Sequence, residues 1–165
     1  VSASIAPSAI APAAIAVEDP GQPEVLALLA ESDAYHAALY PAESNHLLDL
    51  EALRGPGVRF LVARLEGRAV GTGGLVSQGE EAGLGWGEIK RMYLGEAARG
   101  RRLGRGLLEA IEAEARALRL SLLRLETGVK QPEALGLYRK AGYRERGPFG
   151  GYAPDPLSLF FEKRL

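Results

Sequence analysis

Four arginines, Arg99, Arg101, Arg102 and Arg105, crowd a glycine-bearing turn and the first turn of the helix pattern that follows it. A helix N-terminus has unpaired N–H groups and a partial positive charge, so cations there are unfavourable unless an anion joins them. Such a cluster suits binding of a polyanion: a phosphate or pyrophosphate held by backbone N–H groups, with guanidinium groups around it. A solvated basic face is the competing reading. Gly100 and Gly104 favour the ligand, because they let the main chain approach it closely and a solvated face has no need of that. Two elements must position this turn. Residues 86–94 read as a strand whose apolar or aromatic content is Ile89, Met92, Tyr93 and Leu94. From about Arg102, apolar residues recur at Leu103, Leu107, Leu108 and Ile111, the spacing of one buried helix face.

The run Arg99-Gly-Arg-Arg-Leu-Gly104 resembles the coenzyme A pyrophosphate loop of the GNAT N-acetyltransferase superfamily, Arg/Gln-x-x-Gly-x-Gly/Ala. It departs at Arg102, which stands where the first loop glycine usually lies. Gln131-Pro-Glu-Ala-Leu-Gly-Leu-Tyr138-Arg-Lys-Ala-Gly-Tyr143 is similar to a second motif of that family, Asn-x-x-Ala-x-x-Leu-Tyr-x-x-x-Gly-Phe, with Gln131 for asparagine and Tyr143 for phenylalanine. The resemblance implies acetyl-CoA as cosubstrate and no metal. It puts the acetyl and pantetheine arm along Met92, Tyr93 and Leu94, and the pyrophosphate on Arg99, Gly100, Arg101, Arg102, Leu103, Gly104 and Arg105, with Gln131 nearby. It makes Tyr138 the acid that protonates the leaving thiolate. Periodicity alone also allows Tyr138 as a core residue, since Ala134, Leu135, Tyr138 and Ala141 share a helical face.

Amine acylation gives reasons for further residues. A primary amine is mostly protonated at neutral pH and must lose a proton before it attacks. Glu88 is the candidate to take it: a strand carboxylate eleven residues before Arg99, the offset of the general base in some members of the family. Pairing with Lys90 or a neighbouring strand explains Glu88 equally well. Strand N–H groups around Met92 to Leu94 suit the oxygen that gains charge. On the helix break, Tyr40, Glu43, Asn45 and His46 are expected to flank the acceptor, with Tyr152 and Asp155 on the last loop. His36 and His46 also fit ordinary surface or hydrogen-bonded roles, and Trp86 fits a packing anchor.

Composition limits the alternatives. The chain has 165 residues, enough for one domain with a real core. Its net charge is −1, so the positive charge is local and general nucleic-acid or membrane binding is not expected. Cysteine is absent, which excludes a disulfide framework, a cysteine nucleophile and thiolate metal sites. No apolar run approaches a membrane span, and residues 1–13 lack the basic start of a secretory leader, so a cytoplasmic protein is expected. Gly100, Gly104 and Gly106 do not have the spacing of a dinucleotide fingerprint. A nucleotide-binding enzyme remains open through Glu126, placed where a ribose could lie. A non-catalytic acyl-CoA-binding sensor or structural subunit also remains open. The acceptor is expected to be a small-molecule amine ahead of a protein amine, and the family's habit makes a homodimer an expectation.

In chain order, residues 1–13 read as a loose arm before a first strand near 14–17. A helix spans about 23–39, and Ser44 or Asn45 caps a short second helix through Leu53. Residues 58–65 and 68–77 form a hairpin around Glu66-Gly67, with Gly71, Gly73 and Gly74 marking a bulge or close approach. A loop at 78–85 precedes the strand 86–94. Then follow a helix at 102–118, a strand at 121–127, a helix at 131–141, and strands at 143–146 and 157–161. The order β-α-α-β-β-β-α-β-α-β-β predicts an α/β fold. It is also the GNAT order, which implies one GNAT-like domain over 14–165 with a mixed, mostly antiparallel central sheet flanked by helices.

Overall fold

The computed structural model describes residues 13–165; the expected N-terminal arm falls almost wholly outside them. Strand β1 (Ala13–Val17) leads to helix α1 (Pro23–Leu39), the short α2 (Leu50–Leu53) and the antiparallel strands β2 (Val58–Leu65), β3 (Arg68–Glu81) and β4 (Leu84–Leu94). Helix α3 (Leu103–Ala117), β5 (Leu122–Gly128), α4 (Pro132–Lys140), β6 (Arg144–Arg146) and β7 (Ser158–Arg164) complete the chain. The seven strands form one sheet in the order β1-β2-β3-β4-β5-β7-β6. Among the described residues only the β4–β5 pair is parallel, so the sheet is mixed and mostly antiparallel as expected.

Side-chain alternation sorts the strands onto two faces. One face presents Leu61, Leu75, Ile89, Leu123, Leu125 and Phe161, and it is covered by Leu107, Leu108 and Ile111 of α3 and by Leu135 and Tyr138 of α4. The other face presents Phe60 and Val62 to Val25 and Leu29 of α1 and Leu53 of α2. Further along that second face, Trp86, Leu122 and Phe160 pack under Phe149 of the β6–β7 loop. Trp86 is thus the packing anchor its residue type suggested, with the Arg124 guanidinium 4.7 Å from its ring centre.

Three boundaries differ from the sequence reading. The segment 78–85 is not a loop: β3 and β4 extend through it to a two-residue turn at Ala82-Gly83. Both turn residues have positive φ, 52° and 77°, the backbone of a type I′ hairpin. The strands there run past the core into solvent, so no apolar alternation marks them. The second helix is capped by Asp49, whose carboxylate accepts from the Ala52 N–H at 2.9 Å, and not by Ser44 or Asn45. Strand β7 continues to Arg164 through Glu162 and Lys163, because pairing with β5 holds these polar residues in register.

The glycines of β3 serve close approach. A Cβ on Gly73 would lie 2.8 Å from the Met92 sulfur and 2.9 Å from Ile111 Cδ1, so its absence lets α3 settle on the sheet. The register also shifts between Thr72 and Gly74, a bulge opposite β4. Among the described residues no helix is long and apolar enough to cross a membrane.

Candidate active site

The β4–β5 ladder runs from Trp86↔Leu122 to Ile89↔Leu125 and then stops. Both strands continue, β4 to Leu94 and β5 to Gly128. The cause lies in β4. Arg91 has φ of 56°, a conformation costly for a side chain with a Cβ, and the strand bends there. Three contacts hold the bend. Thr72 Oγ1 donates to the Arg91 carbonyl at 2.9 Å. The buried Arg91 guanidinium runs beneath α1, donating to Asp33 Oδ1 at 2.5 Å and to the Leu29 carbonyl at 3.3 Å. Beyond Ile89 the two strands therefore part, and the β5-facing edge of β4 has no pairing strand among the described residues.

A cavity of about 80 Å³ occupies this seam. Its wall includes Ile89 to Met92, Glu126 to Gly128, Gln131, Ala134 and Tyr138, and it is closed by His36, Tyr40 and residues 44–47. Because the seam passes through the sheet, groups from both faces reach it. Tyr138 arrives from the α4 side. Lys90 and Glu126 arrive from the α1 side.

Tyr138 is almost fully buried, and burial pushes its phenol well above the ordinary tyrosine value, with the Glu126 charge adding to this. The hydroxyl stays protonated at any working pH. Tyr40 is placed by its own ring: it lies so close over Gly128 that a Cβ there would fall 1.9 Å from its hydroxyl. That hydroxyl accepts from the Lys130 N–H at 3.0 Å and donates to Gln131 Oε1 at 3.2 Å. Tyr40, Gln131 and the start of α4 are thereby tied together beside the seam.

Helix α3 follows β4 after residues 95–102, which include a short 3₁₀ turn at Glu96–Ala98. Its N-cap, Arg102, makes no side-chain cap, and its first intrahelical bond runs from the Gly106 N–H to the Arg102 carbonyl. The N–H groups of Leu103, Gly104 and Arg105 thus precede the first helical bond and are available to an anion. A Cβ on Gly104 would sit 3.3 Å from both Leu94 Cδ1 and Leu137 Cδ2, so this glycine brings the helix start against β4 and α4. Arg99, Arg101 and Arg102 are exposed and in no ion pair among the described residues, whereas Arg105 pairs with Glu109 at 2.8 Å. The departure at Arg102 has a direct structural counterpart: its φ is 58°, the region a glycine adopts without strain. Arg102→Gly is expected to stabilise the fold by about 1 kcal/mol, a rise of about 2–4 °C in the melting temperature. A thermal melt checks it.

Other expected site residues fall differently. Met92 lines the cavity, but the side chains of Tyr93 and Leu94 turn into the protein. The Tyr93 hydroxyl donates to Glu31 Oε1 at 2.8 Å; burial and then this carboxylate push its pKa up to about 12. Only their backbone is available to a ligand. Glu43 is exposed on a short 3₁₀ turn and does not line the cavity. His46 and Asn45 do line it, while Ser44 Oγ donates to Asp155 Oδ2 at 2.6 Å and ties the turn to the last loop.

Glu88 is not on the cavity wall. It is buried and committed: Tyr152 donates to its Oε1 at 2.5 Å, Lys90 Nζ lies 3.2 Å from the same oxygen, and Gln78 donates to Oε2 at 3.3 Å. Tyr152 accordingly caps Glu88 and packs edge-on to His46 with ring centres 5.1 Å apart. The cavity carboxylate is Glu126 instead. It ends an otherwise apolar strand run, Leu122-Leu123-Arg124-Leu125, and a lone carboxylate on so buried a strand was the available signal. Among the described residues no cluster of three or more histidines and carboxylates is arranged to hold a metal.

Comparison with known proteins agrees with this geometry. The model of the acetyltransferase (GNAT) family matches residues 25–143. A protein of Azospirillum brasilense named IAA acetyltransferase is 56% identical over 92% of this chain and 97% of its own. A Klebsiella pneumoniae structure named as an acyl-CoA N-acyltransferase superposes with a TM-score of 0.79 at 40% identity, covering 93% of this chain and 97% of that one. A GNAT-family structure from Elizabethkingia anophelis, solved with acetyl-CoA bound, shares the fold at a TM-score of 0.64 and 18% identity over 93% of this chain and 98% of its own. The parted strands, the uncapped helix with its arginines and the matched family model lead to one conclusion: the chain belongs to the GNAT family of N-acetyltransferases.

Proposed function

We propose that this N-acetyltransferase transfers the acetyl group of acetyl-CoA to the nitrogen of a small amine by direct attack. The observation that carries the reading is the seam between β4 and β5, lined by groups from both sheet faces. The pantetheine arm contains amides, and amides suit an unpaired strand edge such as β4 beyond Ile89. The pyrophosphate then meets the N–H groups of Leu103 to Arg105 with Arg99, Arg101 and Arg102 around it. The thioester lies in the seam with its sulfur toward Tyr138. The amine enters from the α1 side, past Tyr40 and His46. A cavity of about 80 Å³ supports a small acceptor over a folded protein. Direct attack is supported because the chain has no cysteine and the Ser44 hydroxyl is engaged by Asp155.

The test is a panel of small primary amines, amino acids and IAA, the compound in the name of the Azospirillum relative, assayed for free thiol release from acetyl-CoA. Mass spectrometry identifies the product. Acceptor-dependent thiol release with an N-acetylated product is expected. Coenzyme A binding without release above the hydrolysis background on any panel member would overturn the reading.

A further inference from the structure

The cavity wall carries a carboxylate that the protein leaves unclaimed. Glu126 takes part in no ion pair and no formed hydrogen bond among the described residues, although it is largely withdrawn from water. Its near neighbour on β7 is Ser158, whose buried hydroxyl has no hydrogen-bond partner of its own. An ionised group held in this way lacks the hydration it would have in water and has only the Ser158 hydroxyl, short of full hydrogen-bond geometry, in its place. The missing partner is a donor, and the space in front of Glu126 is the cavity through which an acceptor amine must pass.

Glu88 presents the opposite case. Lys90 Nζ donates to the His46 carbonyl and the Tyr152 hydroxyl and is ion-paired with Glu88 Oε1 at 3.2 Å. With Tyr152 also donating to Glu88, this is a closed arrangement that binds β4, the turn before α2 and the β6–β7 loop together. Proton uptake by Glu88 would weaken its pairing with Lys90 and its acceptance from Tyr152. Lys90 lines the cavity, but its ammonium is already engaged by Glu88, Tyr152 and His46.

We infer that Glu126 takes the proton from the acceptor ammonium, and that Glu88 is a positioning residue holding Lys90 and the Tyr152 loop. The inference rests on the acetyl-transfer reading above. Glu126 and Tyr138 approach the seam from opposite faces of the sheet, so one group can take a proton from the entering nitrogen while a different one gives a proton to the departing sulfur. The step balances as follows. One ammonium proton passes to the Glu126 carboxylate, and the neutral amine attacks the thioester carbon. The C–N bond forms and the C–S bond breaks. The thiolate receives the Tyr138 proton, the second nitrogen proton returns to Tyr138, and Glu126 releases its proton to solvent.

The charged and titratable groups around Glu126 set its pH behaviour. Burial raises its pKa most; Ser158, His46 and Lys90 lower it, the Glu88 charge raises it, and the net direction is up. Tyr40, Tyr138 and Tyr152 also feel its charge and remain neutral beside it. A base acts when ionised, so turnover falls as pH drops through this raised pKa. The acidic limb then lies above the ordinary glutamate value of about 4.3.

The experiment measures turnover between about pH 5 and pH 9 with the acceptor found in the panel. It compares wild type, Glu126→Gln, Glu126→Asp and Glu88→Gln. Glu126→Gln is expected to lower turnover about a hundredfold and to remove the acidic limb, with coenzyme A affinity and melting temperature near wild type. Glu126→Asp retains the limb at reduced turnover. Glu88→Gln keeps an acidic limb, moved toward lower pH because one charge that raises the Glu126 pKa is gone, and raises KM for the acceptor more than it changes turnover. Carboxyl-carbon NMR titration needs no acceptor: the signal missing in Glu126→Gln should titrate above the ordinary glutamate range.

A normal rate profile in Glu126→Gln, loss of the limb in Glu88→Gln, or a Glu126 signal at or below the ordinary value overturns the inference. Absence of amine-dependent turnover in wild type overturns the acetyl-transfer reading instead, and the titration alone then decides whether Glu126 has the ionisation inferred.

Discussion

Tyr138→Phe is expected to lower turnover about a hundredfold while leaving coenzyme A affinity nearly unchanged. The substitution removes one hydroxyl and keeps the ring, which packs against Tyr143 and Phe161 with ring centres 5.9 and 6.2 Å away. Burial and the Glu126 charge are the causes of its raised pKa, with no hydrogen bond contributing, so Phe leaves no protein group unpaired and the fold should survive. The high pKa of a buried phenol opposes full proton loss. In the proposed placement the departing sulfur lies in the same seam, where desolvation raises the pKa of its thiol above the free value of about 8.5 as well. Donor and acceptor are therefore shifted in the same direction, and the phenol can donate to the sulfur as its charge develops. Single-turnover kinetics with a saturating acceptor, alongside calorimetric titration with coenzyme A, separate the two effects. Near-normal turnover would return Tyr138 to a packing role only.

The second large effect is expected at the start of α3. Gly104→Asp should weaken coenzyme A about 10- to 100-fold, from the loss of charge-assisted N–H contacts worth about 1.5–3 kcal/mol. An aspartate in the first turn of a helix is ordinarily favourable, because it faces the positive end of the dipole. A loss of affinity would thus not come from a weaker helix. It would come from a carboxylate competing with the pyrophosphate and from the 3.3 Å spacing to Leu94 and Leu137, which leaves a side chain little room. Gly104→Ala provides the steric control, since its methyl meets only the ends of two flexible leucines. Wild-type binding should also weaken as salt rises, because Arg99, Arg101 and Arg102 are solvent-exposed and screened. Unchanged affinity in a folded Gly104→Asp protein would remove the pyrophosphate from this loop.

Much of the fold was legible because its signals are local. The apolar spacing of Leu103, Leu107, Leu108 and Ile111 sets the buried face of α3, and Glu66-Gly67 sets the first hairpin turn. The arginine cluster and Gly104 mark a helix start that departs from the usual charge preference, which is visible without any tertiary contact. Tyr138 was legible through its motif, since an eight-residue run from Gln131 fixes its place on α4. The parting of β4 and β5 was not legible. It depends on the backbone of Arg91, on Thr72 nineteen residues earlier and on Asp33 fifty-eight residues earlier, and no window of sequence holds all three.

The carboxylates show the same division. The sequence by itself put Glu88 and Glu126 on successive strands of the chain, Glu88 as a candidate base and Glu126 as a candidate ribose ligand. The parallel register of β4 and β5, Glu88 opposite Arg124, then puts both on one face of the sheet. Only the tertiary structure sets them apart, because the difference is one of company. The β6–β7 loop brings Tyr152 over Glu88 from sixty-four residues away and satisfies it, while nothing comparable reaches Glu126. A charge that the fold has already paired is held in place by its partners, and one left facing a cavity is free to act on what enters; which is which depends on where a distant loop lies.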